Sequence, residues 1–457
     1  MELDTICAIS TPLGLGGIGI IRISGKHALL IGESIFRSKK NIQRIKPYHL
    51  HHGYIVSSQG EIIDEVLVSY MPSPGSYTGE DVFEINCHGG PVVVQKILKE
   101  VISKGARLAQ AGEFTMRAFL NGKMDLSQAE AVCELISSKA EAAMHIASKK
   151  LHGALKKKID NIKQGLEHIM AQLLAHMDFE EEIDIDYLEI KQKTSDLLDE
   201  TTRLIKNHDH YSVFVQGAKV VLCGEVNAGK SSILNAILGR ERAIVTPVPG
   251  TTRDYIEDTI NIHGIPTKII DTAGIRTSDD EIEIIGVNKG RELIKEGDII
   301  CLIFDVSSEP SQEVIDLINL KPKDKIICVA NKIDLPTHKK ISSLLKELEK
   351  KGIDIVYTCA KTGEHIDRLV NTIGHKLLGR GIEPPEGDIV PNIRQAENLK
   401  QAKQELNDFI RSLDQGVEID LIYTHLESAS RYLSEITGEI STEDVLDKVF
   451  SNFCIGK

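Results

Sequence analysis

The sequence predicts a multidomain chain of α/β and all-α parts. A doubly wound α/β domain is inserted into a helical one, and an α+β domain precedes both. Three observations carry this reading. Gly224-Glu-Val-Asn-Ala-Gly-Lys-Ser231 matches G-x-x-x-x-G-K-[ST], between an apolar run from Val220 to Cys223 and helical periodicity over 232–238. From Gln216 to about residue 375 the chain alternates strand, loop and helix, whereas helical spacing fills most of 126–207 and 392–449. A length of 457 residues suits about three domains. The expected boundaries are 1–120 for the first domain, 216–375 for the insert, and 121–215 and 376–457 for the two parts of the helical domain.

Composition narrows the classes. The chain is 41% hydrophobic and 26% charged, ordinary for a globular protein. Aromatic residues make up 4% and Trp is absent, so the core has to be aliphatic. A net charge of −13 argues against broad non-specific nucleic-acid binding, and leaves open a local basic patch or an RNA-binding partner. Eight cysteines without a Cys-x-x-Cys pair suit a reducing compartment. Cys223, Cys301 and Cys328 lie in or beside apolar runs and are expected to be buried. No run approaches the ~18 apolar residues of a membrane span, and Met1-Glu-Leu-Asp4 lacks the basic start of a signal peptide. The expectation is a cytoplasmic protein.

In chain order, Thr5 to Ser10 and Ile20 to Ile23 read as strands flanking Gly14-Leu-Gly-Gly-Ile-Gly19. That loop lacks dinucleotide spacing and opens no helix, so it reads as a connection rather than a phosphate site. Residues 61–70 and Val82 to Asn86 read as strands, and Pro91 to Ser103 as a helix. His49, His51 and His52 crowd together without a ligand set at metal spacing and are expected on the surface. Asp125 with Gln128 reads as a capping box. Apolar residues then recur at helical spacing over 126–179, with Gly153 and Gly165 as places to break or bend. The acidic run Glu180 to Asp186 is expected to be a solvated loop rather than a metal site. Helix resumes over about 190–207, and Gly379 to Gly387 reads as a linker.

The insert carries a guanine-nucleotide constellation. Glycine lets the loop backbone wrap a phosphate, and the helix N-terminus aims N–H groups at it. Lys230 is expected to reach the β- and γ-phosphates, and Ser231 to offer its hydroxyl to Mg²⁺. Asp271-Thr272-Ala273-Gly274 follows a strand; its carboxylate suits the Mg²⁺ water shell and Gly274 N–H the γ-phosphate. Asn331-Lys332-Ile333-Asp334 follows another, and Asp334 can accept from guanine's Watson–Crick edge, which adenine does not offer. Cys359-Ala360-Lys361 follows a third, with its backbone facing guanine O6. Gly250 to Asp254 is a switch segment with Thr252 as a second Mg²⁺ hydroxyl. Ile275 stands where Ras-like GTPases place a water-orienting Gln. Another water-positioning group and another positive charge are therefore needed. Asp279, Asp280, Glu281 and Glu283 lie downstream, either for that purpose or as a solvated loop.

The whole chain resembles the bacterial tRNA-modification GTPase family called MnmE or TrmE. The likeness rests on Thr5 to Gly14, Ile21 to Gly25, Ser76 to Asp81, Cys87 to Pro91, Gly112 to Thr115, Arg117 to Leu126 and the ending Phe453-Cys-Ile-Gly-Lys457. It implies a tetrahydrofolate-binding N-terminal domain that forms a homodimer, a helical domain and an inserted Ras-like P-loop G domain. It implies an FAD-dependent MnmG (GidA) partner in a heterotetramer, and tRNA as substrate. Together they would add an aminomethyl or carboxymethylaminomethyl group to C5 of a wobble uridine. A 5,10-methylene or 5-formyl tetrahydrofolate would supply the carbon. The resemblance assigns folate to Arg22, Glu84, Lys123 and Lys457. It assigns K⁺ to Asn227, Thr246, Val248 and Thr251, where an arginine finger would otherwise act, and water positioning to Glu283. GTP contacts also fall on Ala228, Gly229, Ser232, Thr246 and Thr251. Lys230 and Glu283 are taken as catalytic in the G domain, and Cys454 as a catalytic thiol on a tail that the resemblance brings to the folate site; from spacing alone it is a passive thiol on a frayed end. Val226, Ala111 and Cys359 depart from the family's usual Pro, Pro and Ser. The rival readings are a non-catalytic GTPase switch in ribosome assembly and a folate enzyme with a regulatory G domain.

Overall fold

The computed structural model describes residues 4–12, 14–39, 44–178, 186–240, 259–271, 293–318, 321–379 and 388–457. The first sheet has strand order β3-β4-β5-β6-β2-β1-β7. Its strands are β1 (Ile6–Ile9), β2 (Ile18–Ser24), β3 (Phe36–Ser38), β4 (His51–Val56), β5 (Ile62–Met71), β6 (Val82–His88) and β7 (Arg107–Leu108). All pairs are antiparallel except β1 with β7. The side-chain period of two sorts the faces. Ile21, Ile23, Phe83 and Ile85 turn inward, onto Ile31 and Ile35 of α1 (Ala28–Ile35) and Ile97 and Val101 of α2 (Pro91–Ser103). Arg22 and Glu84 alternate with them and so lie on the opposite face. Proline opens α2, where a missing N–H costs no helical bond. The Gly14–Gly19 stretch leads into a strand, as expected.

The histidine expectation needs one correction. His52 is exposed and bonds Glu65 at 2.7 Å, but His51 is buried, and its Nε2 lies 3.0 Å from the Lys46 N–H it accepts. A fixed backbone partner makes that burial affordable.

The helical stretch after Asp125 is three helices: α4 (Leu126–Ser137), α5 (Glu141–Leu151) and α6 (Ala154–Asp178), preceded by the short α3 (Glu113–Leu120). The Asp125/Gln128 capping box is formed. Gly153, at φ +80°, makes the second break, as a residue without Cβ can. Gly165 breaks nothing. A Cβ there would meet Leu197 Cδ2 at 2.6 Å, so glycine brings α6 close to α7 (Tyr187–Gln216). That helix runs nine residues beyond the expected Asn207, because Phe214 is buried among Ile146, Ala218, Ile265 and Val390. The acidic run from Glu180 lies outside the described residues up to its last member. That member, Asp186, caps α7 through the N–H groups of Leu188 and Glu189.

The second sheet has order β13-β12-β11-β8-β10-β9. Its strands are β8 (Ala218–Gly224), β9 (Thr259–Ile262), β10 (Ile265–Asp271), β11 (Ile299–Asp305), β12 (Ile326–Asn331) and β13 (Asp354–Thr358). Every pair is parallel except β9 with β10. Buried on both faces, Ile299 to Phe304 is apolar without alternation. Ile233 of α8 (Lys230–Arg240) packs on one face, and Leu345 of α10 (Lys339–Lys350) on the other, so the sheet is doubly wound. A shorter helix, α9 (Gln312–Leu317), precedes β12, and α11 (Ile366–Leu378) joins α8. Cys223, Cys301 and Cys328 are buried as expected, and burial pushes the Cys328 thiol up to about 12. β8 lies between β11 and β10, where strand order reverses, and open α/β sheets bind ligands at that point.

Beyond Gly379, α12 (Ile393–Asp414) and α13 (Ile419–Thr437) return to α6 and α7. Leu155, Ile162, Leu166 and Leu173 share one core with Leu399, Leu406, Phe409 and Leu426. Segments separated by the nucleotide-type sheet thus bury each other. At their junction, Arg394 forks onto both oxygens of Glu130 at 2.7 and 2.8 Å, and Gln395 Nε2 adds a bond at 2.6 Å. A last helix, α14 (Glu443–Phe450), brings Phe450 and Phe453 onto Leu126 and Ala129 of α4.

Candidate functional site

The phosphate loop joins β8 to α8 with its backbone in conformations that side chains resist. Gly224 has φ +149°, and a Cβ there would meet Ile303 O at 2.2 Å. Gly229 has φ +96°, and its Cβ would meet Asn331 Nδ2 at 2.3 Å. Asn227 is left-handed at φ +65°, which Asn tolerates better than most residues. Lys230 is nearly buried and donates to Gly224 O at 2.9 Å and Glu225 O at 2.7 Å, so its ammonium lies against the loop. At the helix start Ser232 is exposed and Ser231 lies beside it. Ser231 Oγ donates to Asp271 Oδ2 at 2.6 Å, across 40 residues of chain. A hydroxyl and a carboxylate at one point are the hard oxygen donors that Mg²⁺ takes.

Three guanine motifs meet through one buried side chain. Asn331 Nδ2 donates to Ala228 O at 2.9 Å. Its Oδ1 accepts from the Ala360 N–H at 3.1 Å and from Thr358 Oγ1 at 3.3 Å. Lys332, left-handed at φ +65°, pairs with Asp305 Oδ2 at 2.6 Å. Burial opposes charge on Asp305, but its bonds to Lys332 and Ser307 prevail and hold the carboxyl below the usual range. Asp334 is exposed, and Cys359 Sγ donates to its Oδ1 at 3.3 Å. Lys361 is exposed, two residues after the buried Cys359. Thr358 and Asp305 were missed by sequence reasoning. Asp305 carried a signal, an acidic residue ending an apolar strand as Asp271 does. Thr246, Val248, Thr251, Thr252, Thr272, Ala273, Gly274 and Glu283 lie outside the described residues, as do Ile275, Asp279, Asp280 and Glu281.

A second cluster stands on the first sheet. Arg22 and Glu84 are direct partners across β2 and β6, with Nε to Oε1 at 2.7 Å. The guanidinium lies 5.6 Å from the Tyr77 ring centre and 5.7 Å from that of Phe114. Tyr77 OH bonds Thr115 Oγ1 at 2.9 Å, which fixes the ring. Burial raises the Tyr77 phenol, only partly offset by Thr115 and Arg22. The tail reaches this place. Ile455 bridges Ala111, Ser10 Oγ donates to Gly456 O at 3.1 Å, and Gly456 has φ +98° with no room for a Cβ, which would meet Ile9 O at 2.4 Å. Lys457 is half-buried. Burial, then the Arg22 charge, lowers its pKa, while Glu84 and Cys454 oppose the shift. Lys123 is exposed and donates to Pro74 O at 2.9 Å, on the loop that also carries Tyr77. Cys454 is exposed. The structure therefore brings Arg22, Glu84 and Lys457 into one electrostatic group and leaves Lys123 beside it. Paired charges, the half-buried Tyr77 ring and an amine suit a polar ligand that also carries carboxylates; Phe114 is fully buried beneath Arg22.

Among the described residues no helix is long and apolar enough to cross a membrane. No group of three or more His, Cys, Asp or Glu there could hold a metal.

Comparison with known proteins gives two family-model matches: "GTP-binding protein TrmE N-terminus" over residues 5–123, and "MnmE helical domain" over 126–454. A relative from Thermoanaerobacter sp. (strain X514), "tRNA modification GTPase MnmE", is 45% identical over 100% of both chains. One of the same description from Clostridioides difficile (strain 630) is 44% identical over 99% of each. Among solved structures, a point variant of Aquifex aeolicus Era bound to GDP.AlF4- overlaps 41% of this chain and 66% of its own, at 28% identity and TM-score 0.29. The strand order described above, not this overlap, carries the fold.

Proposed function

Because the chain belongs to the MnmE family of tRNA modification GTPases, we propose that it hydrolyses GTP to drive modification of C5 of a wobble uridine in certain tRNAs. The added group is aminomethyl or carboxymethylaminomethyl. The FAD-dependent MnmG subunit is the partner, and the chain works as a homodimer through its N-terminal domain, in the cytoplasm.

The nucleotide part follows from the loop. Lys230 and the N–H groups at the start of α8 take the phosphates, and Asp334 accepts from the guanine edge. Ser231 with Asp271, and Thr252 from the switch, hold Mg²⁺; Asn227 with Thr246, Val248 and Thr251 holds K⁺. When bound, these cations supply positive charge where phosphate charge develops. Glu283 orients the attacking water. Na⁺ is too small for the same cage, so turnover is expected to be much faster in K⁺ than in Na⁺. Equal rates of phosphate release in the two salts would remove K⁺ from the mechanism.

The observation that carries the modification reading is the tail against the first sheet. It assembles Lys457, Arg22 and Glu84, and sets the exposed Cys454 close by. A GTPase acting only as a switch has no use for that arrangement. A tetrahydrofolate suits the cluster: the half-buried Tyr77 and the charges of Arg22, Glu84, Lys123 and Lys457 would hold it. The folate, when bound, supplies the one-carbon unit. The test is nucleoside mass analysis of tRNA from cells lacking this chain, complemented with the natural chain or Lys457→Ala. The natural chain is expected to restore the modified uridine and the variant to fail. Full modification in the uncomplemented cells would overturn the proposal.

A further inference from the structure

Cys454 is the single exposed thiol among the described cysteines; Cys7, Cys87, Cys223, Cys301, Cys328 and Cys359 are buried. The eighth, Cys133, is half-buried on α4. Leu126, Ala129 and Cys133 follow one another at i, i+3 and i+7, one stripe of the helix. Phe450 and Phe453 cover that stripe. Their rings are 5.5 Å apart, and Phe453 is anchored immediately before Cys454. Cys133 Sγ donates to Asn452 O at 3.7 Å, two residues before Cys454. The tail is therefore laid over Cys133, and its own thiol follows the contact by two residues. Charge on Cys454 acts directly on Cys133, adding to burial in raising the Cys133 thiol.

We propose that Cys133 is the resolving thiol for Cys454, and that the pair forms a reversible disulfide which withdraws Cys454 from tRNA modification. The proposal rests on the reading of Cys454 as the thiol that modification needs. The oxidant class is a hydroperoxide. The Cys454 thiolate attacks the peroxide, a sulfur–oxygen bond forms and the oxygen–oxygen bond breaks. An alcohol or water departs and a sulfenic acid remains. Cys133 sulfur then attacks Cys454 sulfur; the sulfur–sulfur bond forms, the sulfur–oxygen bond breaks, and water leaves with the Cys133 proton. Two sulfurs are oxidised and one peroxide is reduced. A cellular dithiol reverses the change by thiol–disulfide exchange. An accessible thiol beside a second, shielded one is the arrangement redox-sensing cysteines use. The rest of the site stays in place, because Phe450 and Phe453 hold the tail in either state.

The test uses the full chain. Stoichiometric hydrogen peroxide is added, free thiols are blocked with N-ethylmaleimide, and the digest is read by mass spectrometry. The expected product joins the Cys133 and Cys454 peptides at a mass two hydrogens below their sum. Dithiothreitol abolishes it. Phosphate release from GTP is expected to be unchanged by the oxidation. In Cys133→Ser, which keeps normal modification under reducing conditions, one equivalent of peroxide is expected to leave Cys454 as sulfenic acid, and a second equivalent to oxidise that to sulfinic acid. Wild-type Cys454 recovered as sulfinic acid, or joined to another cysteine, would overturn the proposal. The peptide readout needs no modification activity. A linked peptide with modification unaffected by oxidation would leave the disulfide standing and overturn the role assigned to Cys454.

Discussion

Asn331 does more here than its place in a base-recognition motif suggests. Its carboxamide is buried and holds the phosphate loop, β13 and the Cys359-Ala360 turn together. Asp334, three residues on, is exposed and free to meet a base. Each guanine bond to a charged acceptor contributes about 1.5–3 kcal/mol. Asp334→Asn is therefore expected to weaken GTP roughly 10–100-fold and to admit xanthosine nucleotide; calorimetric titration with an unchanged GTP affinity would contradict this. Lys457 gives a pH signature. Its folded pKa is lowered, so the charged form is disfavoured in the folded chain. The cost is present at neutral pH, and is relieved as pH rises through the folded value toward the usual ~10.4. Competitive labelling with an amine reagent should show Lys457 reacting at lower pH than surface lysines such as Lys157. Coincident profiles would show that the tail is not docked in solution.

At the scale of elements, α4 is the piece on which the others close. Its N-terminus is capped, its middle carries Glu130, and its outer stripe receives the tail. Removing one member of a buried ion pair costs about 3–5 kcal/mol, more than a neutral replacement of both. Arg394→Met is thus expected to destabilise the helical region by about 3 kcal/mol in urea unfolding, with Glu130→Gln added to it recovering a part. Losses that simply add would mean the two side chains act separately. Much at this scale was legible in the sequence. The Asp125 cap, the α2 limits and the strand before each guanine motif are local features, written within a few residues. What was not legible depends on distant partners. Nothing in the polar run after Asn207 says that Phe214 will be buried against β10 and extend α7. Nothing beside Gly165 says that Leu197 needs the space. His51 looks like its neighbours until its backbone partner is seen.

At the scale of the molecule, the insert and the tail make separable contributions. The nucleotide motifs are tied to one another by Asn331, and the tail is tied to the first sheet through Ser10, Ala111 and α4. Cys454→Ser is expected to leave phosphate release and folding near normal, and to abolish uridine modification in complemented cells. Full modification would make Cys454 a bystander, and a lost GTPase rate would give it a structural part. The nucleotide site could be foreseen because its motifs recur as contiguous strings. The tail's seat could be foreseen only through the family resemblance, since no spacing rule relates residue 22 to residue 457.

Ser10 and Gly456 are bonded across 446 positions of chain, and that separation sets an order of events during synthesis. At roughly 5–20 residues per second, the first strands leave the ribosome about 20–90 s before the residues that complete their cluster. For that interval Arg22 and Glu84 stand ready without Lys457. Half of the helical core waits as well, since Leu155 and Leu166 must be met by Leu399 and Phe409. The insert is under less delay, because its strands pair with one another and the helices on its two faces lie within it, with Val390 the late addition at its edge. An interrupted translation product reaching just past residue 379 would therefore carry a folded nucleotide domain with nothing to drive. Only when the tail settles on the first sheet does the newborn chain couple its earliest strands to its latest residues.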